Sequence, residues 1–319
     1  MRRQRQGGIC RYFRELEAGL SDREGFKVIE ARWQRPDVVH ATFYAGRPYH
    51  RRGRQKLVSS LFDMIPERHP EHFFLPGLRS PHANKASWLA ASDLVISISA
   101  ASADDLAFFQ PRLTCPIRVI HLATAIDTVP VRPVASLLGR RFWLMVGKRH
   151  AYKNGLTLLR GLARLRDRPV PLLVCAGGGG WRPEERRWIR NNRLEDGLLQ
   201  TTADDETLAW LYRHAEAVLV PSMAEGFSLP LIEALACNTP VIASDIEVHR
   251  EVGGRFANLV PALNAEAWAE QLDAAATAPL SRPRETLSGQ EYGSLRAWFG
   301  AGRLLREHET AYRSLLASD

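Results

Sequence analysis

No apolar run in this chain approaches the roughly 20 residues that a membrane-spanning helix needs. The first residues, Met1-Arg-Arg-Gln-Arg-Gln-Gly-Gly, contain no apolar h-region, so a secretory signal peptide is not expected. Cysteine is scarce. Cys10, Cys115, Cys175 and Cys237 stand far apart, without the spacing of a zinc site or a redox pair. Cys175 and Cys237 lie in apolar segments and read as buried thiols of a reducing cytoplasm. H-E-x-x-H, C-x-x-C and G-x-S-x-G are all absent, which removes the usual signatures of zinc proteases, thiol oxidoreductases and serine hydrolases. There is no internal repeat, and the one low-complexity stretch is the glycine run 177–180.

What is present describes a globular α/β chain. With 319 residues, 45% hydrophobic and 24% charged, two domains of ordinary size fit, each with its own core. Charge is uneven: residues 1–139 carry 20 Lys and Arg against 13 Asp and Glu, and the remainder carries 23 against 22. A basic first half suits a phospholipid face, a lipid-diphosphate acceptor or nucleic acid, or it is a solvated, arginine-rich surface. No nucleic-acid-binding module is recognisable, so nucleic acid is not expected as a partner.

Along the chain, a glycine turn at Gly7 and Gly8 feeds an amphipathic helix with Tyr12, Phe13, Leu16 and Leu20 on its apolar face. Strands are expected at 36–41, carrying His40 at its end, and at 57–61, 93–99 and 116–120. A basic loop, 47–56, includes Arg51 and Arg52. Residues 124–140, with Pro130, Pro133 and Gly139, read as a linker. The pattern then restarts: strands at 142–146, 171–175 and 198–200, a capped helix at 204–215, and a βαβ unit over 217–252. Beyond 265 the chain reads as helical. Domains are therefore expected at 1–135 and 136–295, with a terminal helix at 296–319.

Two constellations carry chemistry. In 217–252 a buried strand closed by Pro221 leads through a glycine-bearing loop into a helix with Pro230 in its first turn. Glu225 lies in that loop and Glu233 on the helix. The free N–H groups and dipole of a helix start take an anion, and carboxylates accept from sugar hydroxyls. Alternatively the two acids are a solvated pair. Arg149 and Lys153, four apart after Gly147 and Lys148, either bind a diphosphate or form a solvated basic turn. The glycine run is not G-x-G-x-x-G followed by an acidic residue, so it is a weak dinucleotide signal.

The string Glu225-Gly-Phe-Ser-Leu-Pro-Leu-Ile-Glu233-Ala-Leu resembles the E-x7-E signature of retaining glycosyltransferases of family 4, and Gly147 to Asn154 resembles that family's G-x-R-x-x-x-K-N clamp. The resemblance extends from Gly7 to about Val260. It implies a GT-B fold of two facing Rossmann-like domains with a terminal helix crossing back to the first. It also implies a nucleotide-diphosphate sugar as donor, a saccharide or lipid-linked acceptor, and no cofactor or metal, since D-x-D is absent. Glu225, Arg149 and Lys153 are implied as catalytic residues, the last two neutralising the leaving diphosphate. Glu233, Gly226, Phe227, Ser228, Leu229, Gly147, Lys148, Gly7 and Gly8 are implied on the donor side. His40, Asp63, Arg51 and Arg52 are expected on the acceptor side. Two departures stand out. The family places a strand ahead of the glycine turn, where only six residues precede Gly7, and many relatives carry a histidine at the position of Phe62. The expected function is hexose transfer, mannose-like, in surface glycan synthesis, in the cytoplasm or at the inner face of the membrane. The alternatives are a catalytically degenerate sugar-nucleotide-binding subunit and a nicotinamide-dependent enzyme built on the glycine run.

Overall fold

A computed structural model describes residues 8–29, 35–42, 44, 46–73 and 82–317. The chain forms two compact units: Met1–Ala123 with Ala297–Asp319, and Thr124–Arg296. Each is built on a parallel sheet, the α/β class that the alternating pattern implies. Among the described residues no helix is long and apolar enough to cross a membrane.

In the first unit, helix α1 (Gly8–Ser21) precedes strand β1 (Val38–Ala41). Strand β2 (Lys56–Leu61) leads to a single helical turn, α2 (Ile65–Arg68). Then come α3 (Lys85–Ala91), β3 (Leu94–Ser97), α4 (Ala100–Phe109) and β4 (Ile117–Val119). The strands pair in parallel in the order β1-β2-β3-β4. Leu61, Met64, Leu89, Val95 and Leu106 make the core under the sheet. Ser99 caps α4 by accepting from the Ser102 N–H at 3.0 Å.

The terminal helix Ala301–Ala317 belongs to this unit and packs on α1 through buried polar groups. The His308 Nδ1–H donates to the Leu304 carbonyl at 2.8 Å, which leaves Nε2 to accept from the Tyr12 hydroxyl at 2.7 Å. Tyr12 then accepts from Ser60 at 3.2 Å, Ser60 accepts from His40 Nε2 at 2.8 Å, and His40 Nδ1 accepts from Tyr312 at 2.6 Å. Each hydrogen is assigned by the one before it, so the chain of donors runs in a single direction. Burial holds His40 down at about 3 and His308 at about 4, which keeps both rings neutral.

The second unit holds β5 (Phe142–Val146), α5 (Gly155–Ala163), β6 (Leu172–Ala176), α6 (Pro183–Asn191), β7 (Leu198–Thr201) and α7 (Asp205–His214). It continues through β8 (Ala217–Val220), α8 (Leu229–Ala236), β9 (Val241–Ser244), α9 (Glu247–Gly253), β10 (Ala257–Val260) and α10 (Ala265–Thr277). The order β10-β9-β8-β5-β6-β7 is all parallel and, numbered from β5, reads 3-2-1-4-5-6 from the β7 edge. That is the doubly wound order, whose reversal point lies between the first and fourth strands, here β5 and β8. β5, β6, β8 and β9 are almost wholly buried, as apolar runs covered on both faces must be. Trp143, Leu158, Leu173, Leu219, Ile242 and Trp268 fill the space between sheet and helices.

Candidate functional site

The reversal point places two loops side by side: 147–154 after β5, and 221–228 after β8. Ligands of doubly wound sheets bind outside the carboxyl ends of strands at this crevice. The Met223 N–H donates to the Tyr152 carbonyl at 2.7 Å, joining the loops directly. Asn154, left-handed with φ 55°, joins them again: its amide donates to Pro221 at 3.0 Å and to Ala262, beyond β10, at 2.7 Å. Thr157 holds the amide oxygen at 2.7 Å. Asn154, the last residue of the G-x-R-x-x-x-K-N string, is thereby the tie among three loops.

Lys153 and Glu225 meet in this crevice, Nζ to Oε1 at 2.6 Å. Their side chains are 24% and 8% exposed, and Ser222 donates to the same carboxylate oxygen at 2.7 Å. Burial pushes the Glu225 carboxyl up, but the charge and hydrogen bond of Lys153, with Ser222, more than offset it. Glu225 therefore titrates below the ordinary carboxylate range. Gly226, Phe227 and Ser228 follow as buried residues and Leu229 opens α8. Glu233, on α8, is buried and accepts the Tyr212 hydroxyl at 2.6 Å. Tyr212 carried no signal in the sequence beyond the apolar face of α7.

Arg149 is placed differently from Lys153. It is buried, its Nε pairs with Glu185 at 3.2 Å, and its guanidinium stacks on Trp181 at 4.3 Å. Its other nitrogens donate to the carbonyls of Gly177 at 3.2 Å and of Gly179 and Gly180 at 3.0 Å. Five donors in a fixed fork suit three loop carbonyls and a carboxylate, so Arg149 is spent on holding the glycine loop. Lys148 is exposed. Gly147 has φ 94°, and at Gly178 a Cβ would overlap the Gly147 carbonyl, so the two glycine turns interlock.

In the first unit the expected acceptor-side residues do not gather. Asp63 follows the carboxyl end of β2; its carboxylate accepts from the Ile65 N–H at 3.1 Å, and burial raises its pKa. The buried Lys85 amine, unremarked in the sequence, donates to the Asp63 carbonyl at 2.9 Å and to Glu67 at 2.7 Å. Arg51 instead pairs with Asp93, which precedes β3, so it sits at the opposite, amino edge of the sheet. The Arg52 N–H donates to Gln55 at 3.0 Å just ahead of β2. His40 is engaged with Tyr312 and Ser60 rather than projecting from the end of β1. Phe62 packs its ring against Tyr12 and Phe13, with centroids 5.5 and 5.9 Å apart. Gly8 begins α1, and Gly7 lies outside the described residues. Among the described residues no three His, Cys, Asp or Glu side chains gather as metal ligands would.

Residues 132–288 match the family model described as Glycosyl transferases group 1. A D-inositol 3-phosphate glycosyltransferase of Jonesia denitrificans is 36% identical over 147 residues, 41% of this chain and 34% of that protein. The O-antigen chain mannosyltransferase B of Escherichia coli is 24% identical over 251 residues, 72% of this chain and 65% of that one. The chain thus spans between about a third and two thirds of the length of these two relatives. Among solved structures, a sucrose-phosphate synthase from Thermosynechococcus elongatus superposes with a TM-score of 0.66 at 23% identity, covering 83% of this chain and 69% of that one. Anabaena HepE, in complex with UDP and glucose, gives 0.63 at 20% identity, covering 82% and 72%. At such identities these structures speak for the fold, the pair of parallel-sheet α/β domains that the GT-B resemblance implied. Over residues 132–288 the chain is thus similar to the family Glycosyl transferases group 1.

Proposed function

We propose that this chain is a retaining glycosyltransferase that moves a hexose, mannose-like, from a nucleotide-diphosphate sugar to a saccharide or lipid-linked acceptor in surface glycan synthesis. The observation that carries the reading is the Lys153–Glu225 pair at the reversal point of a doubly wound sheet, beside the start of α8. Relatives named as O-antigen mannosyltransferases support the sugar class, and HepE in complex with UDP supports a nucleotide-bearing donor.

In this reading the N–H groups of Gly226–Leu229 lie by the donor's phosphate and sugar, and Glu225 accepts from the sugar hydroxyls. Glu233, oriented by Tyr212, takes the ribose hydroxyls. Lys153, with the exposed Lys148, meets the charge that grows on the departing diphosphate, and no metal is invoked for that task. Arg149 acts one step back, by fixing the glycine loop. In the transfer itself the C1–O bond to the diphosphate breaks as the acceptor oxygen bonds C1 on the same face. The acceptor proton passes to a phosphate oxygen. The protein is proposed to work in the cytoplasm, touching anionic membrane through its arginine-rich first unit.

A thermal-shift panel of GDP-, UDP- and dTDP-sugars tests the reading, because a ligand at 100 times its Kd stabilises by about 2.7 kcal/mol. One nucleotide series should raise the midpoint, and Glu233→Ala should abolish that rise. A flat response across the panel would sink the proposal. The packing of Phe62 among aromatic rings favours a second reading, a sugar-nucleotide-binding subunit without transferase activity. Specific donor binding with neither hydrolysis nor transfer would establish it.

A further inference from the structure

Ser228 stands immediately before α8 with φ 75° and ψ 65°, a left-handed conformation that L residues other than asparagine and aspartate seldom hold. A serine at this position ordinarily turns its hydroxyl onto the first N–H groups of its helix. Here it makes no such cap. Its hydroxyl meets His249 instead, Oγ to Nε2 at 3.1 Å. The direction of that bond is settled by the ring's other nitrogen. His249 Nδ1 lies 2.7 Å from the Ser244 carbonyl, which can only accept, so Nδ1 bears the hydrogen and Nε2 of the neutral ring accepts from Ser228. Both residues are buried, and His249 comes from α9, packed beside α8.

We propose that His249 is a positioning residue for the nucleotide-sugar site: by taking the Ser228 hydroxyl it locks the left-handed turn that carries the Glu225 loop into α8, where the donor is read to bind. The inference rests on the reading of that site given above. Glycine adopts this backbone without strain and needs no anchor. Serine does need one, and the imidazole supplies it. Burial keeps the ring neutral, with Glu225 and Lys153 acting on it in opposite senses, so it remains an acceptor.

The pairing makes a prediction that a merely space-filling histidine would not. His249→Leu should weaken binding of the responsive nucleotide sugar roughly tenfold or more, because the head of α8 is no longer held in place. It should also speed hydrogen exchange of the amides of Leu229, Leu231 and Ile232. Ser228→Gly supplies the reference background, since glycine holds the turn alone. The decisive variant joins the two changes: in the Ser228→Gly background, His249→Leu should add no more than about threefold, the turn no longer needing an anchor. His249→Gln, which restores an acceptor near Nε2, should recover most of the loss. If the leucine variant does not fold, Ser228→Ala carries the same test by keeping the ring and removing the hydroxyl. Equal losses from His249→Leu in both backgrounds would overturn the inference, as would unchanged affinity and exchange in Ser228→Ala. A wild-type protein that binds no nucleotide sugar refutes the functional reading instead, and the exchange rates at Leu229, Leu231 and Ile232 still decide whether the lock exists.

Discussion

Replacement of Lys153 by alanine takes a positive charge away from a carboxylate that is nearly buried. At 2.6 Å and an effective dielectric of about 20, the gross attraction between the two groups is roughly 6 kcal/mol. Desolvation of both ions offsets several kcal/mol of that. Removing one partner of a fully buried pair costs about 3–5 kcal/mol, and Lys153 is partly exposed, so water reaches Glu225 once the side chain is cut back. A loss of about 2–3 kcal/mol at pH 7 follows. The pH dependence sharpens the test. In the wild type the Glu225 pKa is lowered, so its contribution is present above the unfolded value of 4.5 and fades as pH falls through the folded value. Without Lys153, burial dominates and the pKa rises above 4.5; the contribution is then present at low pH and lost as pH climbs. Titrations common to both proteins cancel in the difference. The penalty measured by urea unfolding should therefore be small near pH 4 and grow toward pH 7. A penalty of equal size at both ends would show that the pair does not control Glu225. In turnover, Lys153→Ala is expected to lower kcat about 100-fold or more if the amine meets developing charge.

Arg149→Lys should separate a strut from a phosphate ligand: a strut raises the donor Kd and lowers stability with little change in kcat, whereas loss confined to kcat would return Arg149 to the diphosphate. Tyr212→Phe removes a buried hydrogen bond to a carboxylate, and urea titration should show a loss of about 1.5–3 kcal/mol, with weaker donor binding. The neutral histidines of the first unit should make stability fall as pH drops from about 6.5 toward 4, because the unfolded chain takes up protons that His40 and His308 refuse. His308→Gln should flatten that slope in acid titrations monitored by fluorescence; an unchanged slope would assign the acid loss to other groups.

The sequence carried the second unit well because its strands are apolar runs closed by turn residues. The expected strands at 142–146, 171–175 and 217–220 fall on β5, β6 and β8, at most one residue out of register. Asp204 was foreseen as a cap, and it accepts from the Thr207 N–H at 3.0 Å. Strand β10 went unremarked: it has four residues, only Val260 buried, and lies at the sheet edge, so it presents no apolar run. The terminal helical region divides at Gly300 into Gly289–Phe299 and Ala301–Ala317. Site chemistry was legible where partners share a motif and illegible where they do not. Lys153 and Glu225 were both named, yet their pairing across 72 residues needed the sheet order. Arg149 looked like a second phosphate cation because nothing local shows that the glycine carbonyls some 30 positions away are aimed at it. The residues expected on the acceptor side lie apart for a topological reason. The loop bearing Arg51 and Arg52 runs from the carboxyl end of β1 back to the amino end of β2, and spacing alone does not tell which end a residue occupies.

The helix Ala301–Ala317 also sets the order in which the molecule can be made. Residues 124–296 are contiguous, so the second unit holds all of its strands once they have left the ribosome. The first unit begins earlier and finishes later. Until the helix Ala301–Ala317 emerges, Tyr12 on α1 and His40 on β1 lack their partners His308 and Tyr312. The first unit is therefore completed after the second, although its strands are made before it.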